Sequence, residues 1–185
     1  MPAYILTGTP GSGKTAVLRQ LEIDGYAVVE EAATDVIALQ QALGRPEPWQ
    51  EPGFVDRVLD LQRSRQHATG QPHGVVFFDR SPVCTLALCR YLDLPAPRHL
   101  LDEIERLVAE RWYERTVFFV RHLGFIQTTA ARRISFADSL AFERIHELTY
   151  RDVGFDLLDV PAAPVPVRAA TIRKRVGCAA SRRTG

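Results

Sequence analysis

The sequence predicts an α/β fold, one three-layer α/β/α domain around a five-stranded parallel sheet. Three observations lead there. Short apolar runs alternate with longer amphipathic stretches along the whole chain, the pattern of strands joined by crossover helices. The first apolar run leads straight into a glycine-rich loop and a helix. A length of 185 residues with 46% hydrophobic and 24% charged residues suits one domain with a core large enough to fold unaided.

The first strand is Ala3-Tyr4-Ile5-Leu6-Thr7, followed by the loop and a helix from Lys14 to about Glu22, with Val17, Leu18 and Leu21 at helical spacing. Asp24-Gly25 turns the chain into a second strand, Tyr26 to Val29. Glu31 to Leu43 reads as a helix stopped by Gly44, and a proline-rich passage, Arg45 to Trp49, follows. Phe54, Val55, Val58, Leu59 and Leu61 mark a further helix to about Ala68. Val75-Val76-Phe77-Phe78-Asp79 is a third strand with an acid at its carboxyl end. Ser81-Pro82 then has the form of an N-cap with proline at the first helical position, opening a helix to about Tyr91.

Beyond the break at Leu94-Pro95-Ala96-Pro97, Leu100, Ile104, Leu107 and Val108 lie on one helical face. Thr116 to Val120 is the fourth strand. His122 to Ser135 has no clear period and carries paired arginines; a helix bearing Ala141, Ile145 and Leu148 runs on to about Asp152. Phe155 to Val160 is the fifth strand, and a short helix is expected after Pro166. The domain is therefore drawn as 1–172, with 173–185 as a basic tail that frays.

The loop Gly8-Thr9-Pro10-Gly11-Ser12-Gly13-Lys14-Thr15 satisfies G-x-x-x-x-G-K-[ST] at each fixed position. Glycines let successive N–H groups converge on an anionic phosphate at a helix N-terminus. Lys14 brings a compact cation to the β- and γ-phosphates, and the Thr15 hydroxyl is a ligand for Mg²⁺. Gly8, Pro10, Gly11, Ser12, Gly13, Lys14, Thr15 and Ala16 are the expected nucleotide-binding residues. Asp79, at the end of a neighbouring strand, is the expected second metal ligand, directly or through water. No guanine-reading N/T-K-x-D motif occurs, which favours ATP.

Further side chains bear on the fate of the phosphate. Arg80 follows Asp79 in a step that resembles the acid-arginine ending of the third strand in nucleoside and nucleotide kinases, where a planar guanidinium suits phosphate oxygens. Glu30 and Glu31 end the second strand, and alternation points them to opposite sides. Glu31 is the one assigned to the crevice above the strand ends, as acceptor of a substrate hydroxyl proton. Arg132 and Arg133 lie where such kinases carry a closing lid; Arg121 is a weaker candidate. The five histidines show no ligand spacing and read as surface or satisfied core. Trp49, in the insert after the second strand, is read mainly as core, with acceptor recognition as its other role.

At these motifs the chain resembles the small AAA-type ATPase domain proteins of bacteria, kinase-like P-loop proteins related to the ribosylnicotinamide kinase domain of NAD-biosynthesis regulators. The resemblance runs from Ile5 to about Ala170. It rests on the loop Thr7 to Thr15, on Gly25 to Ala33, on Phe77-Phe78-Asp79-Arg80 and on Tyr150 to Pro161. It implies an ATP-binding domain of nucleoside/nucleotide-kinase-like architecture and names no particular acceptor. Where the family places an arginine three residues beyond the second-strand glutamate, this chain has Thr34.

The expectation is thus a Mg²⁺-dependent phosphotransferase that moves the γ-phosphate of ATP to a hydroxyl or phosphate on an unidentified small molecule. A regulatory ATPase read by a protein partner is the alternative. A net charge of +1 gives no footprint for nucleic acid. No apolar run approaches the roughly 20 residues that span a bilayer. Without a recognisable export signal, and with Cys84, Cys89 and Cys178 lacking CxxC spacing, the chain reads as cytoplasmic with reduced thiols.

Overall fold

The computed structural model describes residues 2–70, 74–124 and 136–181. In chain order the elements are β1 (Ala3–Thr7), α1 (Lys14–Ile23), β2 (Ala27–Val29), α2 (Ala32–Ala42), α3 (Phe54–Ala68), β3 (Val76–Asp79) and α4 (Pro82–Tyr91). They continue as α5 (Arg98–Ala109), β4 (Thr116–Val120), α6 (Phe136–Asp152), β5 (Asp156–Val160) and α7 (Val165–Ser181). A single 3-10 turn, Pro48–Gln50, breaks the passage between α2 and α3.

The five strands form one parallel sheet in the order β2-β3-β1-β4-β5. Leu6 on β1 pairs with Asp79 on one side and Phe118 on the other, which sets the loop after β1 beside the ends of β3 and β4. That is the carboxyl edge of an open α/β sheet, the edge at which such folds bind ligands.

Both faces of the central strands β3, β1 and β4 are covered, so these strands are apolar at most positions instead of alternating. Tyr4, Leu6, Phe77 and Phe118 point to the face closed by α1 and α7, through Leu18, Leu21 and Ile172. Ala3, Ile5, Phe78 and Val117 point to the opposite face, under Cys89, Leu100, Ile104 and Tyr150. Each large side chain buried here contributes about 1.5–3 kcal/mol. Ala32, Val36, Phe54 and Val58 form a smaller cluster between α2 and α3, which makes that insert a packed unit.

Two expectations change. The chain from Arg173 onward does not fray at once: α7 continues to Ser181. Ile172 and Val176, one turn apart, are both buried on the sheet, and Arg173 pairs with Asp24 at 2.7 Å, so tertiary packing carries the helix past its basic residues. Ser81 does occupy the N-cap position of α4, yet its hydroxyl makes no cap. It bonds the Tyr150 hydroxyl at 2.8 Å instead, tying α4 to α6 beneath the loop edge.

Candidate active site

The loop is shaped by backbone demands that few residues meet. Gly8 has φ 138°, and a Cβ there would stand 2.3 Å from the Val120 carbonyl oxygen. Any side chain would therefore push the loop off the end of β4. Gly13 also has positive φ, 80°, and serves as N-cap of α1, so Lys14 is the first helical residue and Thr15 and Ala16 follow on an exposed turn. Thr9, buried, donates to Glu143 of α6 at 3.4 Å. From the other side Arg168 of α7 donates to the Ser12 carbonyl at 2.6 Å.

The residues singled out in the sequence converge here. Lys14 is buried; burial lowers its pKa, as does the neighbouring Arg80 cation, while Asp79 and Glu31 work in the opposite direction. Asp79 ends β3 as a buried acid within electrostatic reach of both Lys14 and Arg80. Arg80 sits in the left-handed region at φ 73°, an unfavourable conformation for a residue with a side chain. A backbone bond to Leu6 (3.0 Å) holds it there, together with partners at both ends of its guanidinium. Nε forms an ion pair with Glu31 Oε1 at 2.6 Å, and Nη1 lies 3.2 Å from His146 Nε2.

Glu31 is the N-cap residue of α2, the position from which a short element can turn its side chain toward the strand ends. Burial would raise its pKa. Arg80 and Lys14, with hydrogen bonds from Thr34 and Arg80, outweigh that and hold the carboxyl below the usual range. Thr34, which stands where the resembled family carries arginine, thus supports the glutamate directly. Glu30, as alternation required, faces away and pairs with Arg19.

His146 was not among the expected site residues. It is fully buried, and burial followed by the Arg80 charge pushes its pKa down to about 3. The ring is therefore neutral. Nδ1–H donates to the Phe142 carbonyl (3.0 Å), which leaves Nε2 to accept from Arg80. Arg121 is not poised over the loop: it bonds Glu143 at 2.8 Å, pairs with Glu147 and Asp159, and stacks on the Phe119 ring at 4.4 Å. Those acids consume its charge. Arg132 and Arg133 lie outside the described residues.

A cavity of about 450 Å³ opens beside the loop, between α2, α3, α4 and α6. Pro10, Glu31 and Arg80 line it on the loop side, and Trp49, Phe54 and Phe142 supply aromatic wall. Gln62 and Thr85 add polar groups, joined by a 3.3 Å bond from the threonine hydroxyl to the amide oxygen. Trp49 both packs against the cluster between α2 and α3 and faces this space. Among the described residues no group of three or more His, Cys, Asp or Glu side chains forms a metal cage.

The positions missed in the sequence share a signal. Phe142, His146 and Tyr150 recur every four residues on α6, and Arg168, Ile172 and Val176 do so on α7. A polar residue in phase with a buried stripe is one whose polar atoms need a partner inside.

Comparison with known proteins agrees with this fold. No curated protein matches the chain. Among solved structures, deoxyadenosine kinase from M. mycoides with bound dCTP superposes with a TM-score of 0.62 at 14% identity, over 96% of this chain and 100% of that one. The same enzyme with the products dCMP and dCDP gives 0.60 at 12% identity, over 95% and 98%. NadR protein in complex with NR gives 0.67 at 14% identity over 95% of this chain; the match takes in 51% of the NadR chain. These likenesses show the fold, a nucleoside/nucleotide-kinase-like P-loop sheet. A family model for the AAA domain matches residues 3–168, from the first residue of β1 to the arginine behind the phosphate loop, and the chain belongs to that family.

Proposed function

We propose that this protein is a MgATP-dependent kinase that phosphorylates a hydroxyl group on a small, ring-bearing acceptor held in the cavity beside the phosphate loop. The observation that carries the reading is the Glu31–Arg80 ion pair, which lines that cavity while sharing its electrostatic field with Lys14. An acid-base pair of this kind is of little use to a protein that only binds nucleotide. It is what an acceptor hydroxyl and an incoming phosphoryl group need at one point.

The residues divide the work. Loop amides and Lys14 hold the β- and γ-phosphates. Thr15 at the start of α1 and Asp79 at the end of β3 supply two oxygen donors. A magnesium ion carried by a nucleotide takes most of its oxygens from phosphate and water, so this small donor set fits such an ion and would not cage a free one. The ion's chemistry is to neutralise charge on the β- and γ-oxygens. Glu31, ionised, accepts the hydrogen bond of the acceptor hydroxyl and orients its oxygen; phosphoryl transfer is loose enough that the proton can leave late, so a carboxylate held below its usual range suffices. Arg80 balances the charge of the transferred group, with His146 fixing its orientation. Arg132 and Arg133 are assigned to lid contacts with the same group.

A hydroxyl is favoured over a phosphate acceptor by charge. Among the described residues the cavity has one cation, Arg80, already engaged by Glu31, while Glu47 and Asp138 also border the space. With Arg80 already shared between Glu31 and the transferred group, no cation among the described lining residues remains to offset the dianion of an acceptor phosphate. The structural likeness to deoxyadenosine kinase supports a nucleoside-type acceptor. No helix among the described residues is long and apolar enough to cross a membrane. Three free cysteines and a dependence on ATP support a cytoplasmic setting.

The test is ATP turnover against a panel of nucleosides, nucleotides and ring-bearing alcohols. One nucleoside-type compound should raise turnover at least tenfold over ATP alone. Glu31→Gln should then lower kcat on the order of 10²- to 10⁴-fold with ATP affinity retained. Turnover that responds to no acceptor and only to a protein partner overturns the kinase reading in favour of a regulatory ATPase.

A further inference from the structure

Arg168 is the largest fully buried side chain in the described structure, and neither the loop motif nor the acceptor chemistry assigns it a task. It lies on the first turn of α7. Nη1 donates to the Ser12 carbonyl at 2.6 Å, and Nη2 to the carbonyl of Arg121 at the end of β4, while the Val160 carbonyl at the end of β5 stands 3.5 Å away. One guanidinium therefore spans the phosphate loop and two strand ends. It also presses on the loop itself, since a Cβ at Gly13 would sit 3.3 Å from Nη1.

Two features set this apart from an ordinary packing arginine. Its hydrogen-bond partners are carbonyls, and among the described residues it forms no ion pair; burial alone acts on its pKa, lowering it. Among the described residues Nε, which is buried, has no hydrogen-bond partner. A cation taken out of water and given only dipoles for company is expensive, and buried charges are ordinarily paired with an opposite one. The second feature is direction. In a trans peptide the C=O and N–H are antiparallel, so a Ser12 carbonyl drawn toward α7 turns the Gly13 N–H away from it, to the loop's inner side.

We propose that Arg168 is a positioning residue for the nucleotide: it locks the Ser12–Gly13 peptide with its N–H facing the phosphate cradle, and its charge lies behind the loop as the counter-charge to the β-phosphate. The role depends on the loop binding nucleotide and not on the kinase reading, because no acceptor or transfer step enters.

The experiment is equilibrium binding of ATP, pyrophosphate and adenosine to the full chain and to Arg168→Met and Arg168→Lys, with thermal unfolding of each alone and with ATP. Wild type should bind ATP and pyrophosphate. Arg168→Met should weaken both roughly ten- to a hundredfold, the worth of a charge-assisted hydrogen bond, and leave adenosine within about twofold. Arg168→Lys, which keeps the charge and loses the fork, should fall between the two. Pyrophosphate binding by Arg168→Met within about twofold of wild type overturns the proposal, even if the variant melts earlier. Equal losses in the Met and Lys variants overturn the counter-charge and leave geometry alone. If Met does not fold, the Lys variant decides, an unchanged pyrophosphate affinity counting against us. A wild type that binds none of the three is a different failure, that of the nucleotide reading.

Discussion

Replacing His146 by glutamine removes a titrating group from the fully buried position beside Arg80 and keeps a neutral, hydrogen-bonding side chain there. The histidine's pKa is about 3 in the fold against 6.5 for the free side chain. The unfolded chain therefore binds a proton between those values that the folded chain refuses, so stability rises with pH across the window and is lost as pH falls below about 6.5. The slope is about 1.4 kcal/mol per pH unit once well inside it. Between pH 8 and pH 5 the loss sums to about 2 kcal/mol for wild type and to nothing from this position in the glutamine variant. Glu31 does not confound the comparison. Its folded pKa is lowered from 4.5, so its contribution is present above that value and is lost only as pH falls below it, outside the pH 5–8 range of the comparison. Urea unfolding at pH 5, 6, 7 and 8 measures both slopes. His146→Gln should be less stable than wild type at pH 8, by about 1–3 kcal/mol for lost packing and hydrogen bonding, with the gap closing by about 2 kcal/mol at pH 5. A gap that stays constant within about 0.5 kcal/mol across this range would show that the buried histidine is not held neutral by Arg80, Lys14 and burial, and would refute the tautomer assigned above.

Gly8→Ala should cost at least about 2 kcal/mol, because the new Cβ meets a backbone carbonyl at 2.3 Å and the backbone at φ 138° is closed to alanine; a melting temperature near wild type would show that the loop can shift away from β4. Trp49→Ala enlarges the cavity beside the phosphate loop and, under the proposed function, should raise the acceptor KM roughly tenfold or more while ATP affinity stays level. Equal losses for both ligands would return Trp49 to a purely packing role.

Much of the site was legible because its chemistry is local. A phosphate cradle needs glycines at fixed spacing, a lysine and a hydroxyl within one loop and one helical turn, and Gly8 to Thr15 contains all of them in eight consecutive residues. The places of Asp79 and Glu31, though not their roles, were legible by position, since a parallel sheet brings strand ends to one edge whatever the order of strands. The insert between β2 and β3 was legible as helices, but its part in a cavity was not, because walls come from four helices far apart in sequence.

By itself, then, the sequence determined that a parallel sheet is covered on both faces, where the loop must close on an anion, and that Glu30 and Glu31 part company at the end of β2. Tertiary structure alone decided the pairings across the domain. Arg80 could have met any acid, and the fold gives it Glu31 on one side and a neutral His146, 66 residues away, on the other. Arg121, a phosphate candidate by its place at the end of β4, is drawn off by Glu143, Glu147 and Asp159. Arg168 looked like one of many arginines until α7 buried it against Ser12. The physical reason is common to all three. A charged side chain takes its role from whichever partners desolvation leaves within reach, and that is a property of packing, which no spacing along the chain can express.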